Sequence, residues 1–337
     1  MDIGIILPNT GPMATRDAIF AVADTAEELG FASLWTADHL AMPDDLKSVY
    51  PYGRGRVGKM SANYRVVEPL LTLAAVAGRT QRIKLGVSIY IIPFRHPLVN
   101  AKTIASLDHL ASGRIIMGVG LGWIEEEYEA LGVPWKDRGP ILDDQIRYLR
   151  ELWDNDHPDY RGEFYRFSGM GFEPKPDQGR VPLWIGGNSS FAMRRAAALG
   201  DGLHMIDLTP LELAEHISRL HEICDRTGRP TSEVSLSIRS TIRITQTRAS
   251  QDERAIPLIG TIDQIVDDLQ QFQHLGVQHV ALWPPATEMD APSYLENIKV
   301  GMRGVTFHQF KHTARDPKTM YVTSFQGFVF GTNDGGQ

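Results

Sequence analysis

Short β-rich runs and helical patterns alternate along nearly the whole chain, and this alternation constrains the fold more than any single motif. Strands are expected at residues 3–7, 33–36, 85–92, 115–119, 183–185, 203–206, 234–244 and 279–282. Between them, Ile19, Val22, Ala26 and Leu29 stripe a helix that stops at Gly30, a natural C′ residue. Further helices are expected at 69–77, 98–110 and 191–199, on the stripe Leu142, Ile146, Leu149, Trp153, and on the stripe Leu213, Ile217, Leu220, Cys224. Thr261 and Gln264 make a capping-box pattern opening a last helix through Ile265, Leu269 and Phe272. Eight strands with interleaved helices imply a parallel sheet, and closing it gives an α/β fold of the (β/α)8 TIM-barrel class. An open doubly wound sheet is the other architecture that this pattern allows.

The 337 residues suit one such barrel with insertions, expected to occupy residues 1–306. Residues 37–68 and 153–182 are too long for ordinary connections and are read as insertions, the second holding a small hairpin at 160–165. Residues 307–337 are weakly patterned and are read as a C-terminal extension. The net charge of −7 argues against a nucleic-acid partner, which needs a basic face. No apolar run approaches the length of a membrane span, so no membrane partner is expected. Cys224 is the one cysteine, which excludes an intrachain disulfide and suits a reducing cytoplasm. No H-E-x-x-H or ligand-spaced cluster supports a metal site, and no G-x-S-x-G elbow supports a serine hydrolase.

Three stretches at strand ends are candidates for chemistry. Asp38-His39 follows the second strand on what would be the catalytic face; a histidine there can move a proton near neutral pH, and an adjacent carboxylate can fix its tautomer. The plain alternative is a surface dipeptide opening a loop. Gly118-Val119-Gly120-Leu121-Gly122-Trp123 ends the fourth strand with G-x-G-x-G spacing, not a dinucleotide fingerprint. Its glycines allow a flat ring to approach the backbone, or simply a tight turn. Gly186-Gly187-Asn188-Ser189 opens a helix, where unpaired amides favour a phosphate; capping by Asn188 or Ser189 is the alternative. Lys47, Arg54, Arg56, Lys59 and Arg65 make a local basic stretch without an acid between residues 47 and 67, which either meets an anionic tail or is a solvated loop.

Several stretches together resemble the bacterial luciferase-like family of flavin- and deazaflavin-dependent oxidoreductases. They are Ser33-Leu34-Trp35-Thr36-Ala37-Asp38-His39-Leu40, Tyr50-Pro51-Tyr52-Gly53, Glu68-Pro69-Leu70-Leu71-Thr72-Leu73-Ala74-Ala75, Leu107-Asp108-His109-Leu110-Ala111-Ser112-Gly113-Arg114, the strand-four glycines, and Val181-Pro182-Leu183-Trp184-Ile185-Gly186-Gly187. They follow the family order over about residues 1–300, and Ala37-Asp38-His39 with Tyr50-Pro51-Tyr52 looks most like the branch that uses coenzyme F420. The resemblance implies a (β/α)8 barrel, commonly dimeric. It implies that Asp38 and His39 lie beside the reactive ring carbon, with His39 the proton acceptor or donor. It implies that Ser88 and Ile89 form a strand-three bulge with a non-prolyl cis peptide against the ring. Gly120, Leu121 and Gly122 would then lie near the ring, and Gly186, Gly187 and Asn188 would hold the phosphate. Where some sugar-phosphate-oxidising relatives carry an acid after the glycine-rich turn, this chain has Trp123, which speaks against their proton donor and a sugar-phosphate substrate here.

The leading expectation is hydride transfer between F420 and a small organic substrate, in a cytoplasmic homodimer served by an F420 or flavin reductase. An FMN-dependent two-component monooxygenase using reduced flavin and oxygen is the alternative, and a non-catalytic flavin-binding protein a third reading.

Overall fold

A computed structural model describes residues 1–52 and 60–284, together with the backbone of two short strands at Tyr321–Thr323 and Val329–Gly331, which pair antiparallel. The remainder of the expected C-terminal extension and residues 53–59 of the first insertion, with Arg54, Arg56 and Lys59, lie outside the described residues.

Eight parallel strands close into a barrel in sequential order: β1 (Asp2–Ile6), β2 (Ser33–Thr36), β3 (Lys84–Ile91), β4 (Ile115–Gly120), β5 (Leu183–Gly186), β6 (Gly202–Ile206), β7 (Ser235–Thr241) and β8 (His279–Trp283), with β8 paired back to β1. The open sheet is thereby excluded. The helices are α1 (Arg16–Glu28), α2 (Pro69–Ala77), α3 (Pro97–Leu110), α4 (Glu125–Leu131), α5 (Arg138–Asp154), α6 (Ser190–Leu199), α7 (Pro210–Thr227) and α8 (Ile262–His274). Alternate strand residues separate two cores, because successive side chains point to opposite faces. Ile3, Ile5, Leu34, Leu85, Val87, Met117, Ile185, Met205, Ile238 and Val280 face outward and pack under the helices. Ile6, Trp35, Ile116, Trp184 and Ala281 face inward and form a separate apolar cluster with Trp283. Cys224 is fully buried in the outer core on α7.

The inner layer is tight because glycines make room for indoles. A Cβ at Gly86 would stand 2.5 Å from Trp35, and one at Gly202 would stand 2.6 Å from Trp184. Sequence patterning at 234–244 predicted one long strand, and the structure corrects this. β7 leaves the barrel after Thr241, whose amide donates to Asp207 Oδ1, and Arg243–Ile244 pairs instead with Ile259–Gly260. In the second insertion, Tyr160–Arg161 and Arg166–Phe167 form a hairpin. The Asp144 carboxylate on α5 accepts the amides of Glu163, Phe164 and Tyr165 and so gathers the turn.

Candidate active site

The loops after the strands' carboxyl ends gather the chemistry-bearing residues, as parallel barrels do. Asn9, just past β1, is fully buried. Its Oδ1 accepts the Ala37 amide at 2.9 Å, and its Nδ2 donates to the carbonyls of Ala37 (2.8 Å) and Val67 (2.9 Å). The chain is thus pinned one residue before Asp38-His39.

From there the two neighbours diverge. Asp38 is buried and receives a two-pronged donation from Arg95, Nη1 to Oδ2 at 2.8 Å and Nη2 to Oδ1 at 2.9 Å, while the Ile91 amide donates to Oδ2 at 2.9 Å. Burial works against the Arg95 charge, but its hydrogen bond with Asp38 and the negative charge there raise the guanidinium above its ordinary pKa. Asp38 therefore ties the end of β2 to the end of β3. The carboxylate against His39 is a different one: His39 Nδ1 lies 2.7 Å from Glu127 Oε2, while Glu127 Oε1 accepts the amides of Leu40 (2.7 Å) and Ala41 (3.2 Å). An ionised carboxylate only accepts, so it holds the proton on Nδ1 and leaves Nε2 as the acceptor. The sequence expectation that the adjacent acid fixes the tautomer is corrected: Asp38 is consumed by Arg95, and Glu127 arrives from α4.

Two of the three acids that open α4, Glu126 and Glu127, act through their carboxylates on the first insertion or its entrance, and Glu125 through its amide. Glu126 accepts the amides of Lys47 (2.7 Å) and Ser48 (3.1 Å) and the Ser48 hydroxyl (2.7 Å), and Ser48 Oγ in turn accepts the Glu125 amide at 3.0 Å. Desolvation opposes ionisation of Glu126, but these donors outweigh it and bring its pKa down to about 2. The strap so anchored carries Tyr50 and Tyr52 over the barrel mouth. Tyr50 meets Trp123 edge-on at 5.3 Å between ring centres, and Trp123 meets His39 edge-on at 6.0 Å. Trp123 is thus part of an aromatic wall beside the imidazole.

Within β3 the Ser88-Ile89 peptide is cis, and the β3–β4 register shifts between Val87 and Tyr90. The Ile89 side chain lies in a cradle of glycines: a Cβ at Gly120 would be 2.9 Å from its Cγ2, and one at Gly186 would be 2.5 Å from its Cδ1. Gly122 makes the same concession to Ile91, at 2.8 Å. The glycines at the ends of β4 and β5 thus accommodate β3 side chains. At the start of α6, the Gly187 amide donates to the His204 carbonyl, and Asn188 pairs through its side chain with the Ile206 backbone. The Asn188 amide reaches the Tyr52 hydroxyl, whose pKa burial raises. Ser189 caps the helix by accepting the Ala192 amide. Of the basic stretch, Lys47 pairs with exposed Asp45 and Arg65 donates to the Ala14 carbonyl, so neither faces a common site.

Below the mouth runs a buried chain that sequence reading missed. It links Ser33 Oγ to His279 Nε2 (2.7 Å), His279 Nδ1 to Ser237 Oγ (2.9 Å), Ser237 Oγ to His204 Nδ1 (2.8 Å), and His204 Nε2 to Ser88 Oγ (2.8 Å). The Trp35 indole donates to Ser33 at 2.8 Å. Burial, aided by the positive charge of Lys84, lowers the His279 pKa to about 3. Burial first, then His279 and Arg239, lower that of His204 well below its ordinary value. Both imidazoles are neutral at physiological pH. The only sequence signal was a histidine at an inward-facing position of each of two strands.

The profile of the luciferase-like monooxygenases matches residues 1–280. The chain belongs to the luciferase-like monooxygenase family. This luciferase-like barrel is 29% identical over 322 residues to an F420-dependent glucose-6-phosphate dehydrogenase of Nakamurella multipartita, covering 90% of this chain and 88% of that one. Among solved structures it resembles an F420-dependent secondary alcohol dehydrogenase in complex with an F420-acetone adduct (TM-score 0.67, 18% identity, 84% and 93% of the two chains). It also resembles a monooxygenase from Streptomyces bottropensis (TM-score 0.69, 19% identity, 93% and 99%). These structural likenesses show a shared fold. With its family, the luciferase-like barrel is an oxidoreductase. Among the described residues, no helix is long and apolar enough to cross a membrane.

Proposed function

We propose that the protein transfers a hydride between coenzyme F420 and a small organic substrate, with His39 handling the substrate proton. The observation that carries this reading is the His39–Glu127 pair, which presents Nε2 as a proton acceptor at the barrel mouth. The F420-dependent relative that spans most of the chain supports the cofactor class.

The residues present fit a flat ring. Around the Ser88-Ile89 bulge Ile89 fills the space that Gly120 and Gly186 leave, so a ring would rest on one aliphatic side chain with nothing bulkier beside it. In this reading Ser88, Ile89, Gly120, Leu121 and Gly122 line the ring, and the Gly186-Gly187-Asn188 turn faces the phosphate at the start of α6, where the Asn188 amide exchanges the Tyr52 hydroxyl for it while the Gly187 amide stays on the His204 carbonyl. Asp38 acts at one remove, fixing the Ile91 amide and Arg95. When bound, F420 supplies two-electron chemistry by accepting or returning a hydride at its ring carbon. His39 Nε2 takes the hydroxyl proton of an alcohol, or returns a proton to an unsaturated substrate in the other direction, and Glu127 stabilises the imidazolium formed. Trp123, Tyr50 and Tyr52 exclude water from that proton transfer. Under this reading the enzyme is a cytoplasmic homodimer, supplied by an F420 reductase when it runs reductively.

The test is a fluorescence titration of the purified protein with F420 and with FMN, followed by exposure of the reduced complexes to air. Preferential F420 binding without oxygen uptake is expected. Preferential FMN binding with substrate-dependent oxygen consumption overturns the reading in favour of a flavin monooxygenase.

A further inference from the structure

Arg239 stands at an inward-facing position of β7, two residues beyond Ser237, and is only 8% exposed. Its guanidinium lies over the Trp283 ring at 4.3 Å, and Nη2 donates to the Tyr50 hydroxyl at 2.6 Å. Nε is buried without an acceptor, and among the described residues no carboxylate lies within ion-pair distance. Three half-buried arginines, by contrast, each meet a carboxylate: Arg95 meets Asp38 and Glu68, Arg150 meets Asp201, and Arg254 meets Asp268. A buried cation held by one neutral hydroxyl and one indole face, with no counter-charge, is costly unless a ligand brings one.

The position tells what that ligand is near. Tyr50, which receives Arg239, abuts Trp123, and Trp123 abuts His39, so cation and imidazole border the same aromatic wall. The charge balance limits the ligand further. Arg95 is outnumbered by Asp38 and Glu68, and Glu127 adds another negative charge beside His39. One uncompensated guanidinium in that setting matches a single negative charge, and a dianionic phosphate would be left in excess.

We propose that Arg239 is an anion receptor beside His39, and that the substrate carries a carboxylate which Arg239 and the Tyr50 hydroxyl bind while His39 exchanges the proton that accompanies hydride transfer at the reacting carbon. The binding half stands on Arg239 alone; calling the bound anion a substrate rests on the oxidoreductase reading. Charge-assisted bonds from a guanidinium are among the stronger hydrogen bonds, so losing them should weaken binding by roughly tenfold or more.

The experiment uses the full-length protein without cofactor and reads tryptophan fluorescence and thermal shift, at constant ionic strength with chloride. Benzoate is titrated against its neutral isostere benzamide and against inorganic phosphate. Saturable benzoate binding is expected, with benzamide and phosphate at least tenfold weaker. Arg239→Gln should lose at least tenfold in benzoate affinity, whereas Arg239→Lys, which keeps the charge but not the planar fork, should lose less. Equal benzoate binding by wild type and Arg239→Gln overturns the proposal, as does phosphate binding tighter than benzoate. Should Arg239→Gln fail to fold, the wild-type preference for benzoate over benzamide and the binding by Arg239→Lys still decide. A separate F420 titration of Arg239→Lys distinguishes the anion's owner: unchanged F420 affinity supports a substrate site, and a loss of F420 affinity equal to that of benzoate overturns it. Because benzoate binding needs neither cofactor nor turnover, it can fail while F420 dependence holds, and the reverse.

Discussion

His39 and Glu127, 88 residues apart in sequence, meet at 2.7 Å, and the same carboxylate accepts the backbone amides of Leu40 and Ala41. Glu127 thus fixes both the orientation of the imidazole and the path of the chain leaving it. Its side chain is almost wholly buried, so it has few competing water partners.

Glu127→Gln should therefore lower kcat/KM by roughly 100-fold, the scale expected for loss of general acid–base function, since an amide no longer enforces the Nδ1 proton. His39→Ala should cost as much, and the double variant little more, because the two act as a unit. Steady-state kinetics with parallel F420 titrations check this. A large loss of cofactor affinity in either single variant would count against the assignment.

The buried histidines predict acid lability. His279 titrates near 3 in the folded chain against about 6.5 unfolded, so between those values the unfolded state binds more protons. Its stabilising contribution is fully present above pH ~6.5 and is lost as pH falls towards 3, by at most roughly 1 kcal/mol or slightly more per pH unit. His204, lowered in the same direction, adds to the slope. Urea denaturation from pH 7 to pH 4 should show stability falling. His279→Gln, although less stable at pH 7, should have the shallower pH dependence.

Glu126 makes a local prediction. Glu126→Ala removes the acceptor for both strap amides, and hydrogen exchange at Lys47 and Ser48 should accelerate while global unfolding changes little. Protease cleavage should rise within residues 44–52. Unchanged exchange there would mean that the strap is held elsewhere.

Packing around the bulge is testable by compensation. Gly186→Ala places a methyl 2.5 Å from Ile89 Cδ1 and should destabilise by ~1–3 kcal/mol, the usual range for overpacking. Ile89→Ala costs stability by opening a cavity, but the double variant should be more stable than the two losses summed, since each change relieves the other. Chemical denaturation of the four proteins gives the coupling. Strict additivity would show that Ile89 can move aside freely.

The barrel was legible because it rests on local rules. Alternating strand runs, helical stripes ending in glycine, and the Thr261–Gln264 box each concern residues a few positions apart. Strand ends were legible as well: Asp38 and His39 follow β2, Gly120 ends β4 and Gly186 ends β5. What those residues touch was not legible. Asp38 and His39 are neighbours in sequence, yet one turns to Arg95 and the other to Glu127, because closing the barrel brings the segments after β3 and β4 to the end of β2. Likewise the glycines after β4 and β5 accommodate Ile89, a packing relation that local sequence spacing does not encode. The serine–histidine chain and the lone charge of Arg239 depend on alternate positions of five strands converging inside one cylinder. Short-range periodicity determined the elements and their order; closure decided which distant side chains share a buried environment, and burial is what sets their partners and charges.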